Sequence, residues 1–255
     1  MIIVEKLHIE GIPTLHVVKE SLRDIKTPFV MFIHGFTSAK ENNLHFAYYL
    51  AEKGFRVALP ECLYHGERSQ QHTKRELSFR FWKIVLNEIS EVNKIKEYFE
   101  QKQWIDSNRI GLAGTSMGGI TTLGSLTQYD WIKAAVSLMG SPCYIELLKR
   151  QLDALKQSGV EIPLSHEEIE EQLSLLEPFD LSLHKEKLHH RPLLFWHGER
   201  DQVVPFAPTY QFYKDIIPMY ENEPEKLRFI VDQLADHKVS REGVLALVEW
   251  FEKYL

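Results

Sequence analysis

Cysteine is scarce in this chain: two residues in 255, Cys62 and Cys143, in separate segments and without CxxC spacing. That count excludes a disulfide framework, and free thiols in a reducing compartment are the expectation. Basic charge is not in excess either. The 30 Lys and Arg are interspersed with 36 Asp and Glu for a net charge of −6, so nothing draws the chain to nucleic acid or to anionic lipid. No apolar run reaches the length of a membrane span. The N-terminus meets Glu5 and Lys6 too early to contain the apolar segment of a signal peptide. These lacks point to a cytoplasmic protein with neither nucleic acid nor membrane as a partner. Internal repeats and low-complexity tracts are missing as well.

What is present is the composition of a globular domain, 44% hydrophobic and 26% charged. Its length suits one domain over 1–255. Residues 2–10 and 14–19 alternate apolar and polar about Gly11-Ile12-Pro13, which predicts an opening hairpin. From Pro28 the pattern changes to short, continuous apolar runs at 29–33, 56–59, 110–113, 134–138, 193–196 and 227–231. Such runs read as strands buried on both faces. Helical periodicity lies between them. Residues 43–53 carry Leu44, Ala47, Tyr48, Leu50 and Ala51 on one face and stop at Gly54. Apolar residues from Phe81 to Phe99 recur at threes and fours and predict one long helix over 79–103. Residues 240–254 begin at a capping Ser240 and bury Val244, Leu247, Val248 and Phe251. Strands alternating with helices imply an α/β fold, with a mostly parallel twisted sheet covered on both faces.

The alternation fails once. Between the strands at 134–138 and 193–196 the connection is far longer than usual, and it carries its own helical patterns at 144–156 and 165–176. Ser158-Gly159 and Ile162-Pro163 separate the two, and Ser165 with Glu168 fits a capping box. Residues 141–191 are therefore expected to form a helical cap over the sheet's C-terminal edge. Its apolar stripe, Ile145, Leu147, Leu148, Leu152 and Leu155, would lid a substrate pocket, bury a homodimer contact, or do both.

The strand at 110–113 runs into Gly114-Thr115-Ser116-Met117-Gly118-Gly119 and then into a helix-like stretch. This is G-x-S-x-G in the strand-turn-helix setting that gives the motif its meaning. A nucleophile on so sharp a turn takes a strained backbone, and Gly114 and Gly118 leave room where strand and helix nearly touch. The competing reading is a glycine-rich turn with a capping serine. A tetrahedral oxyanion formed beside Ser116 needs two N–H donors. Met117, following the nucleophile, is one. Phe36, in the loop His34-Gly35-Phe36-Thr37 after the strand at 29–33, is the other, with His34 bracing that loop.

The acid and the base should follow in the order Ser, Asp, His. The strand at 193–196 leads into His197-Gly198-Glu199-Arg200-Asp201, with Val203-Val204-Pro205 opening a helix. Asp201 is chosen as the acid over Glu199. The strand at 227–231 precedes Ala235-Asp236-His237, and a His in that loop can reach over the sheet edge to Ser116 with a pKa suited to moving protons. His237 is the base by position among twelve histidines. A metal cluster of His184, His189, His190 and His197 is the weaker reading, because no HExxH or Cys/His pairing supports it.

In these motifs the sequence resembles the α/β-hydrolase superfamily, within it the dienelactone-hydrolase and prolyl-oligopeptidase-like branch and the small bacterial esterases of the YitV/YjfP type. The likeness covers nearly the whole chain. It rests on His34-Gly35-Phe36-Thr37-Ser38 with Lys40-Glu41, on Tyr64-His65-Gly66-Glu67-Arg68, on 114–119, and on His197-Gly198-Glu199 with Asp201 and Pro205. It implies serine-hydrolase chemistry with no metal or organic cofactor, and carboxylesterase action on a small-molecule ester with a short acyl chain. The loop His65-Gly66-Glu67-Arg68 would stand beside the active-site mouth in a structural role. A small peptidase or aminopeptidase is the alternative among enzymes. A catalytically silent binding module that keeps the fold is the alternative outside them.

Overall fold

The computed structural model describes residues 1–159, 162 and 164–255. Pro163, half of the Ile162-Pro163 break expected between the two helices of the insertion, lies outside the described residues.

Strands β1 (Ile2–Ile9) and β2 (Ile12–Lys19) form the expected hairpin, paired from Ile2 opposite Lys19 to Ile9 opposite Ile12. Glu10 and Gly11 both take positive φ, 49° and 82°, the left-handed pair whose twist suits a two-residue turn. The chain then alternates. Strand β3 (Thr27–Ile33) is followed by α1 (Leu44–Glu52) and β4 (Arg56–Pro60), then by α2 (Lys74–Phe79) and α3 (Phe81–Gln101). Strand β5 (Ile105–Thr115) runs into α4 (Met117–Gln128), and β6 (Ala134–Leu138) into α5 (Tyr144–Gln157) and α6 (His166–Leu176). Strand β7 (Leu193–Gly198), α7 (Phe206–Ile216), β8 (Leu227–Asp232) and α8 (Arg241–Tyr254) complete it. The sheet order is β1-β2-β4-β3-β5-β6-β7-β8. Strand β2 is antiparallel to β4, and every pair from β4 to β8 is parallel.

Burial on both faces explains the continuous apolar runs. Along β3, Phe29, Met31 and Ile33 belong to one core, with residues of α3, α4 and α5, while Val30 and Phe32 belong to the other, with residues of α1 and α8. Alternate side chains of a strand point to opposite faces, so a strand between two helical layers must be apolar at nearly every position.

Register decides where function can sit. Ile33 pairs with Gly114, Gly114 with Ser137, Ser137 with Phe195 and Phe195 with Phe229, a straight row across five parallel strands. Every loop singled out from the sequence leaves its strand shortly beyond that row and on the same rim. Ligands of open α/β sheets bind outside these carboxyl ends.

Four details differ from the sequence expectation. The helix expected over 79–103 is two helices meeting at Arg80, whose backbone (φ −97°, ψ 2°) ends α2 and begins α3. The short first helix is started by a capping box, with Thr73 Oγ1 accepting from Glu76 N–H and the Glu76 carboxylate accepting from Thr73 N–H. Strand β5 begins five residues early because Ile105 pairs with Thr27 across a register shift, and the polar stretch Asp106-Ser107-Asn108-Arg109 conceals that extension. Tyr48, expected on the buried face of α1, is exposed, and Phe46 is buried instead. Ser240 occupies the cap of α8, but its hydroxyl makes no capping hydrogen bond. Cys62 and Cys143 are free and buried. Among the described residues no helix is long and apolar enough to cross a membrane.

Candidate active site

Ser116 stands between β5 and α4 with φ 53° and ψ −115°. An L-residue held there costs about 1–3 kcal/mol, and the surroundings allow nothing else. A Cβ on Gly118 would lie 2.0 Å from the Ile33 carbonyl oxygen, and one on Gly114 would lie 2.4 Å from the Gly118 carbonyl carbon. Strand β3, strand β5 and helix α4 therefore meet at van der Waals distance through two glycines. The Ser116 N–H donates to Leu138 O at 2.8 Å and its C=O accepts from Ile120 N–H at 2.9 Å, so the strained turn is pinned on both sides. Its Oγ faces the rim, and the first-turn N–H of Met117, at the N-terminus of α4, is a positive dipole end beside it.

The structure brings Ser116, Asp201 and His237 together from three loops. Ser116 Oγ–H donates to His237 Nε2 at 2.8 Å. His237 Nδ1–H donates to Asp201 Oδ2 at 2.6 Å. The imidazole is partly exposed and the carboxylate fully buried, with side-chain exposures of 22% and 0%. Asp201 also closes its own turn: Oδ1 accepts from Val203 N–H at 2.8 Å and Val204 N–H at 3.0 Å. Burial pushes its pKa up, but hydrogen bonds from His197 and His237 and the nearby imidazole charge outweigh that, and the carboxyl is held well below the usual carboxylate range. Glu199, the rival acid, is exposed, as is Asp236 beside His237. This arrangement can take a proton from a hydroxyl, hold it on an imidazole and return it to a leaving group.

The loop after β3 lies alongside. A Cβ on Gly35 would come within 3.6 Å of Ser116 Cβ, which sets Phe36 next to the serine. Its conformation depends on two buried histidines. His34 Nδ1–H donates to Gly35 O at 2.8 Å and Nε2 accepts from Cys62 N–H at 3.0 Å, so His34 braces the loop. His65 matters as much. Thr37 is held at φ 61° with its N–H donated to His65 Nε2 at 2.9 Å, while His65 Nδ1–H donates to Leu63 O at 2.9 Å. Both bonds require the neutral ring with its proton on Nδ1. Burial lowers the His65 pKa and favours that form.

A buried charge cluster supports the same loop. Lys40 Nζ lies 2.7 Å from Glu61, 2.6 Å from Glu67 and 2.7 Å from Glu41, and the Lys40 and Glu61 side chains are fully buried. Among the described residues these three glutamates are the carboxylates close enough to share a metal ion, but the Lys40 ammonium already supplies the cation. The four histidines of the weaker metal reading do not gather. His197 Nε2 lies 2.9 Å from Val204 O and 3.3 Å from Asp201 Oδ2, and His184 bonds Glu177 O at 3.1 Å. Lys40, His65 and His197 fall in the segments singled out from the sequence, but nothing in their spacing names the partners they find: Thr37 N–H for His65, Asp201 for His197 and the three glutamates for Lys40.

Next to Ser116 opens a cavity of about 650 Å³. Leu147, Leu148 and Leu152 of α5 and Ile169 of α6 form one wall, and the junction of α2 with α3 forms another. Trp82 Nε1–H ties the walls together by donating to Gln151 Oε1 at 2.9 Å.

An eight-stranded, mostly parallel sheet with helices on both faces and a strained serine at the end of β5 is the α/β-hydrolase fold. The chain belongs to the prolyl oligopeptidase family, whose model matches residues 42–255. It is 58% identical over its full length, and the full length of the relative, to "Putative esterase YitV" of Bacillus subtilis (strain 168). It is 30% identical, again over the whole of both chains, to "Esterase YjfP" of Escherichia coli (strain K12). Among solved structures, TT1662 from Thermus thermophilus superposes with a TM-score of 0.76 at 20% identity, covering 100% of this chain and 98% of that one.

The glycine contact at the serine turn is directly testable. Gly118→Ala should destabilise the protein by about 3 kcal/mol, as overpacking against backbone does, read as a lowered urea midpoint at unchanged slope.

Proposed function

We propose that the protein is a serine hydrolase acting as a carboxylesterase, with Ser116 as nucleophile, His237 as general base and then acid, and Asp201 as the group that orients and charges the imidazole. The observation that carries the reading is the unbroken hydrogen-bond line from Ser116 Oγ through His237 to Asp201, set on a strained turn. Full-length similarity to two bacterial proteins named as esterases supports the choice of ester.

In this mechanism Oγ attacks the acyl carbon as its proton passes to His237 Nε2. The backbone N–H groups of Phe36 and Met117 hold the developing oxyanion. His237 returns the proton to the alcohol, and a water activated by the same ring frees the acid from Ser116. Asp201, ionised throughout, fixes the proton on Nδ1 and stabilises the imidazolium. Residues 141–191 act as the cap over this site, since α5 and α6 wall the cavity. The substrate is a small molecule, and the reaction is placed in the cytoplasm. Family membership favours a second reading, cleavage of short peptides by the same residues; a panel of p-nitrophenyl esters beside aminoacyl-nitroanilides separates the two by which series turns over.

Ser116→Ala should remove p-nitrophenyl acetate hydrolysis and fluorophosphonate labelling while leaving the circular-dichroism spectrum unchanged. Retained turnover in that variant would refute the nucleophile.

The pH profile has a definite sign. The base must be neutral to accept the hydroxyl proton, so kcat/KM should rise with pH as the imidazolium gives way to the neutral ring. Asp201, held far below its usual pKa, adds no limb between about pH 5 and 8. A flat profile there would exclude His237 as the base.

His65 should behave as a positioning residue. His65→Leu removes the acceptor for Thr37 N–H and should lower kcat about tenfold or more, as loss of oxyanion alignment does, with little change in KM. His65→Gln, whose carbonyl oxygen can take the place of Nε2, should restore most of it; equal losses in both variants would argue for a packing role alone.

A further inference from the structure

The cavity beside Ser116 is far larger than an acetyl group needs, and its chemistry is uneven. About 650 Å³ lies within the range that encloses a drug-sized ligand. Most of its wall is apolar, with Phe36, Trp82, Leu147, Leu148 and Leu152 prominent. Two cations, Arg80 and Lys83, also line it, and among the described residues no Asp or Glu does.

Among the described residues no Asp or Glu forms an ion pair with either cation. Both stand over the ring of Tyr64, with the Arg80 guanidinium 5.5 Å and the Lys83 ammonium 5.9 Å from its centre. Arg80 lies close enough to Glu76 to help lower that carboxyl's pKa, but the Glu76 carboxylate is bonded to the Thr73 N–H and hydroxyl, both at 2.8 Å. The Arg80 Nε–H is buried and has no hydrogen-bond partner among the described residues. A buried donor without an acceptor is costly, and an ionised acceptor satisfies it best. The kink between α2 and α3 is what turns this residue into the cavity wall: 78–83 line it without interruption, whereas in one continuous helix consecutive residues would face different sides.

The orientation of a substrate follows from the site as read above, on which this inference rests. The departing alcohol must sit at His237 to receive its proton. His237 does not line the cavity, while Ser116 and Phe36 do. The cavity is therefore the acyl side.

We propose that the preferred substrate is an ester whose acyl group is a medium-length apolar chain ending in a carboxylate, the chain lying against α5 and the terminal anion bound by Arg80 with help from Lys83. Hydrolysis then releases an alcohol and a dicarboxylic acid, with water as the sole co-reactant.

The test compares mono-p-nitrophenyl suberate and sebacate with p-nitrophenyl octanoate and decanoate, pairs matched in carbon count. The parent protein should favour the carboxylated ester of a pair by about tenfold in kcat/KM, carried mainly in KM, as a charge-assisted contact would. Arg80→Gln combined with Lys83→Gln should reduce that ratio to near one. Equal or better use of the neutral esters by the parent protein, or a preference that survives the double substitution, would overturn the anion site. Absence of turnover of all four esters together with absence of fluorophosphonate labelling would instead overturn the hydrolase reading beneath it.

Discussion

The rest of the site depends on one crowded contact, where α4 passes so close to the end of β3 that no side chain fits between them. Gly118 abuts the Ile33 carbonyl and Gly114 abuts Gly118. That proximity forces the chain to reverse within a single residue, and the residue caught in the reversal is Ser116. Its positive φ is thus imposed by packing rather than by local preference, which for serine runs the other way. The energy to hold it comes from two-sided burial of β3 and β5, whose apolar side chains feed both cores. Stability of the central sheet and presentation of the hydroxyl are one structural problem.

Parallel pairing extends the constraint sideways. Because β3, β5, β6, β7 and β8 share a row of paired residues, their outgoing loops emerge at one level. Ser116, Asp201 and His237 come from segments far apart in sequence, yet each needs only a short loop to reach the others. The acid illustrates how such loops carry two tasks at once. Asp201 closes its own turn with one oxygen and holds His237 with the other, so the carboxylate is rigid before any substrate arrives. His65 and the buried Lys40–Glu61 pair do similar service for the loop that carries Phe36. Much of the polar burial around the site is thus spent on fixing backbone rather than on touching the reacting atoms.

The insertion between β6 and β7 gives the site its enclosed side. Its helices lie on the same rim as the loops, and the bond from Trp82 to Gln151 joins α5 to the kinked segment opposite. The cavity is therefore bounded by two elements that the sheet does not determine. This is where the fold can vary its preferences without disturbing the hydroxyl, the imidazole or the carboxylate.

Strand and helix identities were legible in the sequence because burial on two faces demands unbroken apolar runs, and helices against a core demand apolar residues at threes and fours. The serine turn was legible because only glycine survives at 114 and 118, and the meeting of Asp201 and His237 at the same rim because each lies just past an apolar run. Other features had no such trace. The division at Arg80 was hidden, since the apolar period of α3 runs back to Phe81 and a two-helix junction leaves that period intact. The acceptor for Thr37 N–H, the second imidazole on Asp201, and the salt cluster around Lys40 arise between residues whose neighbours in space are remote in sequence. Local patterning could determine what each segment becomes; only the packed sheet, by bringing loop ends to one edge and burying charge there, decided which side chains meet and what the cavity beside them will hold.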